Sequence, residues 1–389
     1  MAASVLVLLI VGVTVTLAVD PQGCTYDSTL KEYTCNARSW SPPLVYSDFD
    51  NVPQVLKLIE IDGALSYTGP ATFSGFENVN TALFDGNIVP ALHIRCVSGG
   101  SLIMYNGTFA NMDWVKELRI FDCMILSIPD DVFSSFGTLN YFSIDGGSIS
   151  NMGFNCFNGV NIERMNSVPE PLGMLALRNT QITSGGLANG VLYSLANVST
   201  IILDNIHVRV IQKDMFQAST KVTHISMKNN PFIALPADMF DKTTSLTTLE
   251  ISGIDWVCTC PNLWIWSFLS THNVSLTGDI VCASPTANLR AAEYYKQQCD
   301  TTSACGDDTG VVIGTYCYVI SDIVFHGVLL ITFIIALIAF AMTVHLKRQT
   351  GDQKPGGRPK RGDRKASGST WKKVGGSKKG EPRKGESMA

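Results

Sequence analysis

The sequence predicts an α/β-type repeat solenoid: a horseshoe of stacked strand-and-turn units between disulfide caps, followed by one transmembrane helix and a disordered tail. Three observations predict it. The pattern L-x-x-L-x-L, with apolar substitutions, recurs along residues 56–251. A phenylalanine precedes five of the recurrences at one fixed distance. Cysteines gather on both sides of the repetitive stretch.

The recurrences begin at Leu56, Val79, Val115, Leu139, Leu172, Val198, Val222 and Leu246. Val115-Lys-Glu-Leu118-Arg-Ile120 and Val222-Thr-His-Ile225-Ser-Met227 are representative. Most spacings fall in the 20–29 residue range of strand-bearing solenoid repeats. One unit cannot bury its apolar face alone, so neighbours must stack into a continuous core. Phe73, Phe109, Phe133, Phe216 and Phe240 each lie six residues before a start, which implies a stacked aromatic column behind the strands. The two long units, 79–114 and 139–171, are expected to carry insertions.

Bulk properties place the chain in the secretory pathway. Among 389 residues there are 11 cysteines, too many for a cytosolic protein without a metal or redox motif. The short pair Cys258/Cys260 has no Cys-x-x-Cys partner, so no metal and no cofactor is expected. Residues 2–19 are apolar and uncharged, with Thr16 and Ala18 at the small positions of a cleavage site, as in a signal peptide over 1–18. Residues 324–346 contain no Asp, Glu, Lys or Arg and are long enough to span a bilayer. Lys347 and Arg348 follow, so the positive-inside rule places the C-terminus in the cytoplasm and the ectodomain outside, a type I plasma-membrane topology. His326 falls at the outer edge of the span, in the interface. The tail over 347–389 holds 14 Lys/Arg against 4 Asp/Glu, so with a whole-chain charge of −4 the remainder carries −14.

The segments Ile128-Pro129-Asp130-Asp131-Val132-Phe133 and Leu235-Pro236-Ala237-Asp238-Met239-Phe240 resemble the convex-side segment of extracellular leucine-rich-repeat proteins. The capped layout on one membrane span is similar to that of the lamprey-type variable lymphocyte receptors, and it lacks the cytoplasmic domain of Toll-type receptors. The family's Asn-ladder position reads Ala64, Asn87, Cys123, Gly147, Thr180, Ile206, Asn230 and Ile254, so an irregular horseshoe is expected. The resemblance divides the chain into an N-terminal cap (19–54), about eight repeats (55–254), a Cys-rich C-terminal cap (255–300), a stalk (301–322), the membrane helix (323–346) and the tail. It implies the pairings Cys24–Cys35, Cys258–Cys282 and Cys260–Cys299. Spacing leaves the others open: Cys96 with Cys156 or with Cys123, Cys123 as a lone buried thiol, and Cys305 and Cys317 bridged locally or between chains.

In this architecture the residues two, four and six positions after each start face the concave side. That reading yields Glu60, Asp62, Leu83 and Asp85, then Glu117, Arg119, Phe121, Tyr141, Ser143 and Asp145. It continues with Met174, Ala176, Arg178, Ile202, Asp204, His224, Ser226, Lys228, Glu250 and Ser252. The candidate ligand-binding residues are Glu60, Asp62, Asp85, Arg119, Phe121, Tyr141, Asp145 and Arg178. The N-terminal end is acidic in this register, which suits a cationic or glycoprotein ligand.

Sequons at Asn106, Asn197 and Asn273 are candidate glycosylation sites. The tail has too little apolar content to fold. Its basic clusters suit anionic inner-leaflet lipid, Ser367 is a candidate phosphorylation site, the anchor excludes a nuclear-localisation reading, and no nucleic-acid partner is expected. No nucleophile elbow, phosphate loop or paired-carboxylate motif points to catalysis. The sequence thus predicts a surface receptor for an extracellular protein or glycan, in recognition, adhesion or innate immunity. The alternative is an auxiliary subunit or co-receptor, possible as a dimer, that modulates another membrane protein.

Overall fold

A computed structural model describes residues 20–39, 43–65, 72–184, 186–187, 190–285, 287–299, 310–313 and 316–350. The signal segment, Cys305, Ser367 and the basic tail beyond Thr350 lie outside the described residues, as does the side chain of Cys317.

One sheet of eleven strands organises the repeat unit, with its strands in chain order. The N-terminal cap supplies the hairpin β1 (Cys24–Asp27) and β2 (Glu32–Asn36). The repeats supply β3 (Val55–Ile61), β4 (Ala91–Cys96), β5 (Glu117–Phe121) and β6 (Tyr141–Asp145). They continue with β7 (Met174–Arg178), β8 (Thr200–Asp204), β9 (His224–Ser226) and β10 (Thr248–Glu250). The C-terminal cap adds β11 (Ser275–Thr277). Every neighbouring pair from β2 onward is parallel.

Alternation decides which side chains are inside. Leu118 and Ile120, Phe142 and Ile144, Leu175 and Leu177, and Leu203 and Ile201 are fully buried. Their odd-numbered or even-numbered neighbours on each strand face the concave side. Behind the strands the phenylalanines stack: Phe109 on Phe133 at 5.9 Å, Phe133 on Phe157 at 5.7 Å, and Phe216 on Phe240 at 5.8 Å between ring centroids. Full burial of such a ring is worth about 1.5–3 kcal/mol. A second, short parallel sheet follows the concave strands, built from Gly63–Ala64, Ser101–Ile103, Met124–Ile125, Ser148–Ile149 and Gln181–Ile182.

The turn out of each strand from β5 to β10 uses a left-handed residue: Asp122, Gly146, Asn179, Asn205, Asn229 and Gly253 all have positive φ. Asn and Asp tolerate that region and glycine has no penalty there. A Cβ at 253 would also meet the Asn229 side-chain amide, which would have to shift. At the buried ladder position Asn230 donates to the Leu203 carbonyl at 2.7 Å and accepts from Ile206 N at 3.0 Å. Thr180 does similar work through its hydroxyl, which donates to the Arg178 carbonyl at 2.8 Å.

Two starts in the sequence register are corrected. Leu56 pairs with Leu92, which pairs with Leu118. The first repeat therefore starts at Pro53, and Leu56 sits inside its strand. The second starts at Val89, where Val89-x-x-Leu92-x-Ile94 fits the pattern. Val79 instead leads into the short 3-10 turn Thr81–Leu83. The first insertion thus precedes β4, inside the unit that begins at Pro53. Asn87 belongs to that insertion, where its backbone N–H donates to Asp85 Oδ1 at 2.9 Å, and it has no ladder role.

The caps close the core at both ends. Disulfides join Cys24 to Cys35, Cys258 to Cys282 and Cys260 to Cys299, and a further one joins Cys96 to Cys123. Cys156 is a free buried thiol. At the C-terminal end, helix α1 (Trp264–His272) sets Phe268 5.6 Å from the ring of Phe240, and Trp264 Nε1 donates to the Leu235 carbonyl at 3.0 Å. Helix α2 (Ala291–Gln298) completes this cap. In the second unit, helix α3 (Ile320–Thr350) contains a stretch, Val324–Leu346, long and apolar enough to cross a membrane.

A candidate binding face on the concave sheet

The centre of the concave sheet is built by β4 to β7. Strand pairing puts His93, Arg119, Ser143 and Ala176 in one row across it. Glu117 is the anchor. Its carboxylate is nearly buried, with His93 Nε2 2.9 Å from Oε1 and Arg119 Nε 2.7 Å from the same oxygen. Burial pushes the Glu117 carboxyl up, but the hydrogen bonds from His93 and Arg119 overcome this and hold it below the usual carboxylate range.

Two guanidinium groups, one of them held by Glu117, lie over rings. Arg119 sits 4.7 Å above the Tyr141 ring, and Arg95 sits 4.8 Å above Phe121. Arg178 approaches the same tyrosine, donating from Nη1 to its hydroxyl at 3.4 Å. Arg95 also pairs with the exposed Asp122 at 3.1 Å. Further along, Lys228 bridges Glu250 at 2.7 Å and Asp204 at 3.6 Å. The hydrogen bond to Glu250 raises the Lys228 ammonium and lowers the Glu250 carboxyl from their ordinary values.

Five of the eight candidate residues from the sequence stand together here: Arg119, Phe121, Tyr141, Asp145 and Arg178 lie on β5, β6 and β7. The other three do not join them. Glu60 occupies a bulge of β3 with φ of 61° and pairs with Arg38 at 3.0 Å. Asp62 follows the strand and accepts from Ser101 N at 3.0 Å. Asp85 lies in the first insertion, where its N–H donates to Gln54 Oε1 at 2.7 Å, and Leu83 lies in the 3-10 turn before it. The residues those positions displaced are Lys57, His93 and Arg95. This exchange offsets the expected acidity of the N-terminal half. Lys57, Arg95 and Arg119 stand on β3 to β5, paired with Glu32 at 2.6 Å, Asp122 at 3.1 Å and Glu117 at 2.7 Å. The template match at Val89 was the signal that would have found His93 and Arg95.

Of the three sequons, Asn106 and Asn273 are exposed. Asn197 is half-buried and engaged on both sides, donating to Asn161 Oδ1 at 3.0 Å and accepting from Lys221 Nζ at 2.6 Å.

A family model described as BspA type leucine-rich repeat region matches six copies across residues 102–174 and 179–255. Match and strand ladder together support a leucine-rich-repeat solenoid fold. No curated protein matches it.

Proposed function

We propose that the chain is a membrane-anchored interaction protein whose concave face binds an acidic extracellular protein or an anionic glycan, without catalysis of its own. The observation that carries this reading is the cluster in which Arg95 and Arg119 lie over Phe121 and Tyr141 and Arg178 meets the tyrosine hydroxyl. Arginine and aromatic residues anchored near the centre of a surface are the composition of binding hot spots. The guanidinium fork also matches carboxylates and sulfates bidentately. Solenoids of this kind present extended concave surfaces for binding.

The apolar helix supports an anchored protein, and the four disulfides among the described residues suit an oxidising compartment. In this reading the repeats are extracellular, and glycans are carried at Asn106 and Asn273. The basic tail rests on anionic inner-leaflet lipid, from which phosphorylation of Ser367 would loosen it. The arginine–aromatic cluster at the centre favours an anionic ligand in place of the cationic one that an acidic end would have selected.

The test is binding of the full-length protein, reconstituted in lipid nanodiscs, to arrays of sulfated and sialylated glycans and of acidic ectodomains. Arg119→Glu with Arg178→Glu is expected to abolish the strongest signals, while Asp62→Lys with Asp85→Lys leaves them in place. Binding that survives the arginine reversal sinks the reading.

A further inference from the structure

Both insertions fall in the same part of the repeat, the connection that descends from the convex aromatic residues to the next strand. Residues 79–88 follow Phe76 and precede β4, and residues 163–172 follow Phe157 and precede β7. Each is fastened by a buried amide one position after a repeat start. Gln54 Nε2 donates to the carbonyls of Asp85 at 2.8 Å and Ile88 at 2.7 Å. Asn140 Nδ2 donates to the Glu170 carbonyl at 2.7 Å, and its Oδ1 accepts from Leu172 N at 2.9 Å. The equivalent positions between these two are Pro90 and Lys116. With Trp114 they floor a cleft of about 680 Å³ that the two insertions wall.

We propose that this cleft is a second binding site, distinct from the concave face, and that it takes a loop of a partner protein presenting a Lys or Arg side chain beside an apolar residue. The volume lies within the usual range of about 300–1,000 Å³ for ligand sites. Its lining carries the carboxylates of Glu77, Asp85 and Asp113 against one ammonium, that of Lys116. Lys116 is already committed, donating from Nζ to the Asp113 carbonyl at 2.7 Å, and burial lowers its pKa. The floor is aromatic: Trp114 stacks on Phe76 at 6.4 Å and meets Phe84 edge-on at 5.8 Å. The buried indole N–H of Trp114 has no acceptor among the described residues. An apolar floor under an acidic rim complements an amphipathic cation, whose stem packs while its head pairs. The concave face favours the opposite charge, so the two sites select different partners.

Random peptides displayed on phage are selected on the full-length protein in nanodiscs, and the affinities of the winners are measured by fluorescence anisotropy. The winners are expected to carry Lys or Arg next to an apolar residue. Gly86→Arg and Asp113→Lys are each expected to weaken them about tenfold or more, a loss of about 1.4 kcal/mol, while Arg178→Glu leaves them unchanged. A Cβ at Gly86 meets nothing within 4 Å, so the backbone has room for the substitution, and an unchanged thermal midpoint checks that the variant is folded. The proposal is overturned if no peptide is enriched, if the winners lack a basic residue, or if Gly86→Arg leaves their affinity intact. It is equally overturned if native mass spectrometry finds a lipid or small organic ligand that Gly86→Arg expels, or if that variant abolishes self-association of the chain.

Discussion

Replacing Asn140 by alanine tests how the second insertion is held. The side chain is 1% exposed. Its amide donates to the Glu170 carbonyl at 2.7 Å, and its oxygen accepts from Leu172, Gly173 and Met165 N–H groups at 2.9, 3.3 and 3.4 Å. The two short bonds contribute about 0.5–1 kcal/mol each, and stranding the buried Gly173 N–H adds about 1–2 kcal/mol. The expected loss is therefore about 2–4 kcal/mol, concentrated in residues 163–173. Asn140→Asp should open the same segment, because a carboxylate oxygen would face the Glu170 carbonyl in place of a donor. Amide hydrogen exchange followed by mass spectrometry reads this directly. At 1.4 kcal/mol per tenfold, protection over 163–173 should fall by about 30-fold or more while the C-terminal cap is unaffected. Unchanged exchange there, or a loss spread evenly along the solenoid, would refute the assignment of Asn140 as a staple.

Three further outcomes follow from the core and the concave face. Because the Glu117 carboxyl titrates below its ordinary value when folded, its stabilisation is present above the unfolded pKa and is lost as pH falls through the folded one. Glu117→Gln should flatten the decline in urea midpoint below about pH 4.5, and a decline as steep as in the parent would count against the anchor. Phe133→Ala removes a fully buried ring in contact with Phe109, Phe142 and Phe157 and should cost about 3–5 kcal/mol in chemical unfolding; a cost under about 1 kcal/mol would contradict the stacked column. Burial pushes the Cys156 thiol up to about 12, so iodoacetamide at neutral pH should modify it only in denaturant, and rapid labelling of the native protein would show the site to be open.

The strand ladder from β5 to β10 was legible because its pattern and its aromatic column agree. Each of the starts at Val115, Leu139, Leu172, Val198, Val222 and Leu246 lies two residues before an observed strand. The reading failed where an insertion separates the two signals. Phe73 is buried and meets Phe76 edge-on at 5.5 Å, but residues 79–88 intervene before β4, so a fixed phenylalanine-to-strand distance pointed to Val79. In β3 the run Val-Leu-Lys-Leu-Ile-Glu-Ile fits the pattern in more than one frame, and a bulge at Ile59–Glu60 shifts the frame within the strand itself. Phe157 joins the column without being foreseen, for the same reason: the second insertion sits between it and β7. These local slips had a large effect on the candidate site, since a change of register exchanged acidic side chains for Lys57, His93 and Arg95. Neither the cleft nor the role of Gln54 and Asn140 shows in the pattern, because both depend on loops brought together from separate repeats.

The placement of both insertions on one margin also separates what this scaffold must conserve from what it is free to vary. Strand pairing, the left-handed turns and the aromatic column fix the stacking of each repeat, and none of them passes through the descending connection. Length added there changes the outline of one side of the molecule and leaves the repeat spacing in space unchanged. Foreign loops could therefore be grafted at residues 79–88 or 163–172, with a side-chain amide at position 54 or 140 to fasten them, and the protein could be given new partners without redesigning its core.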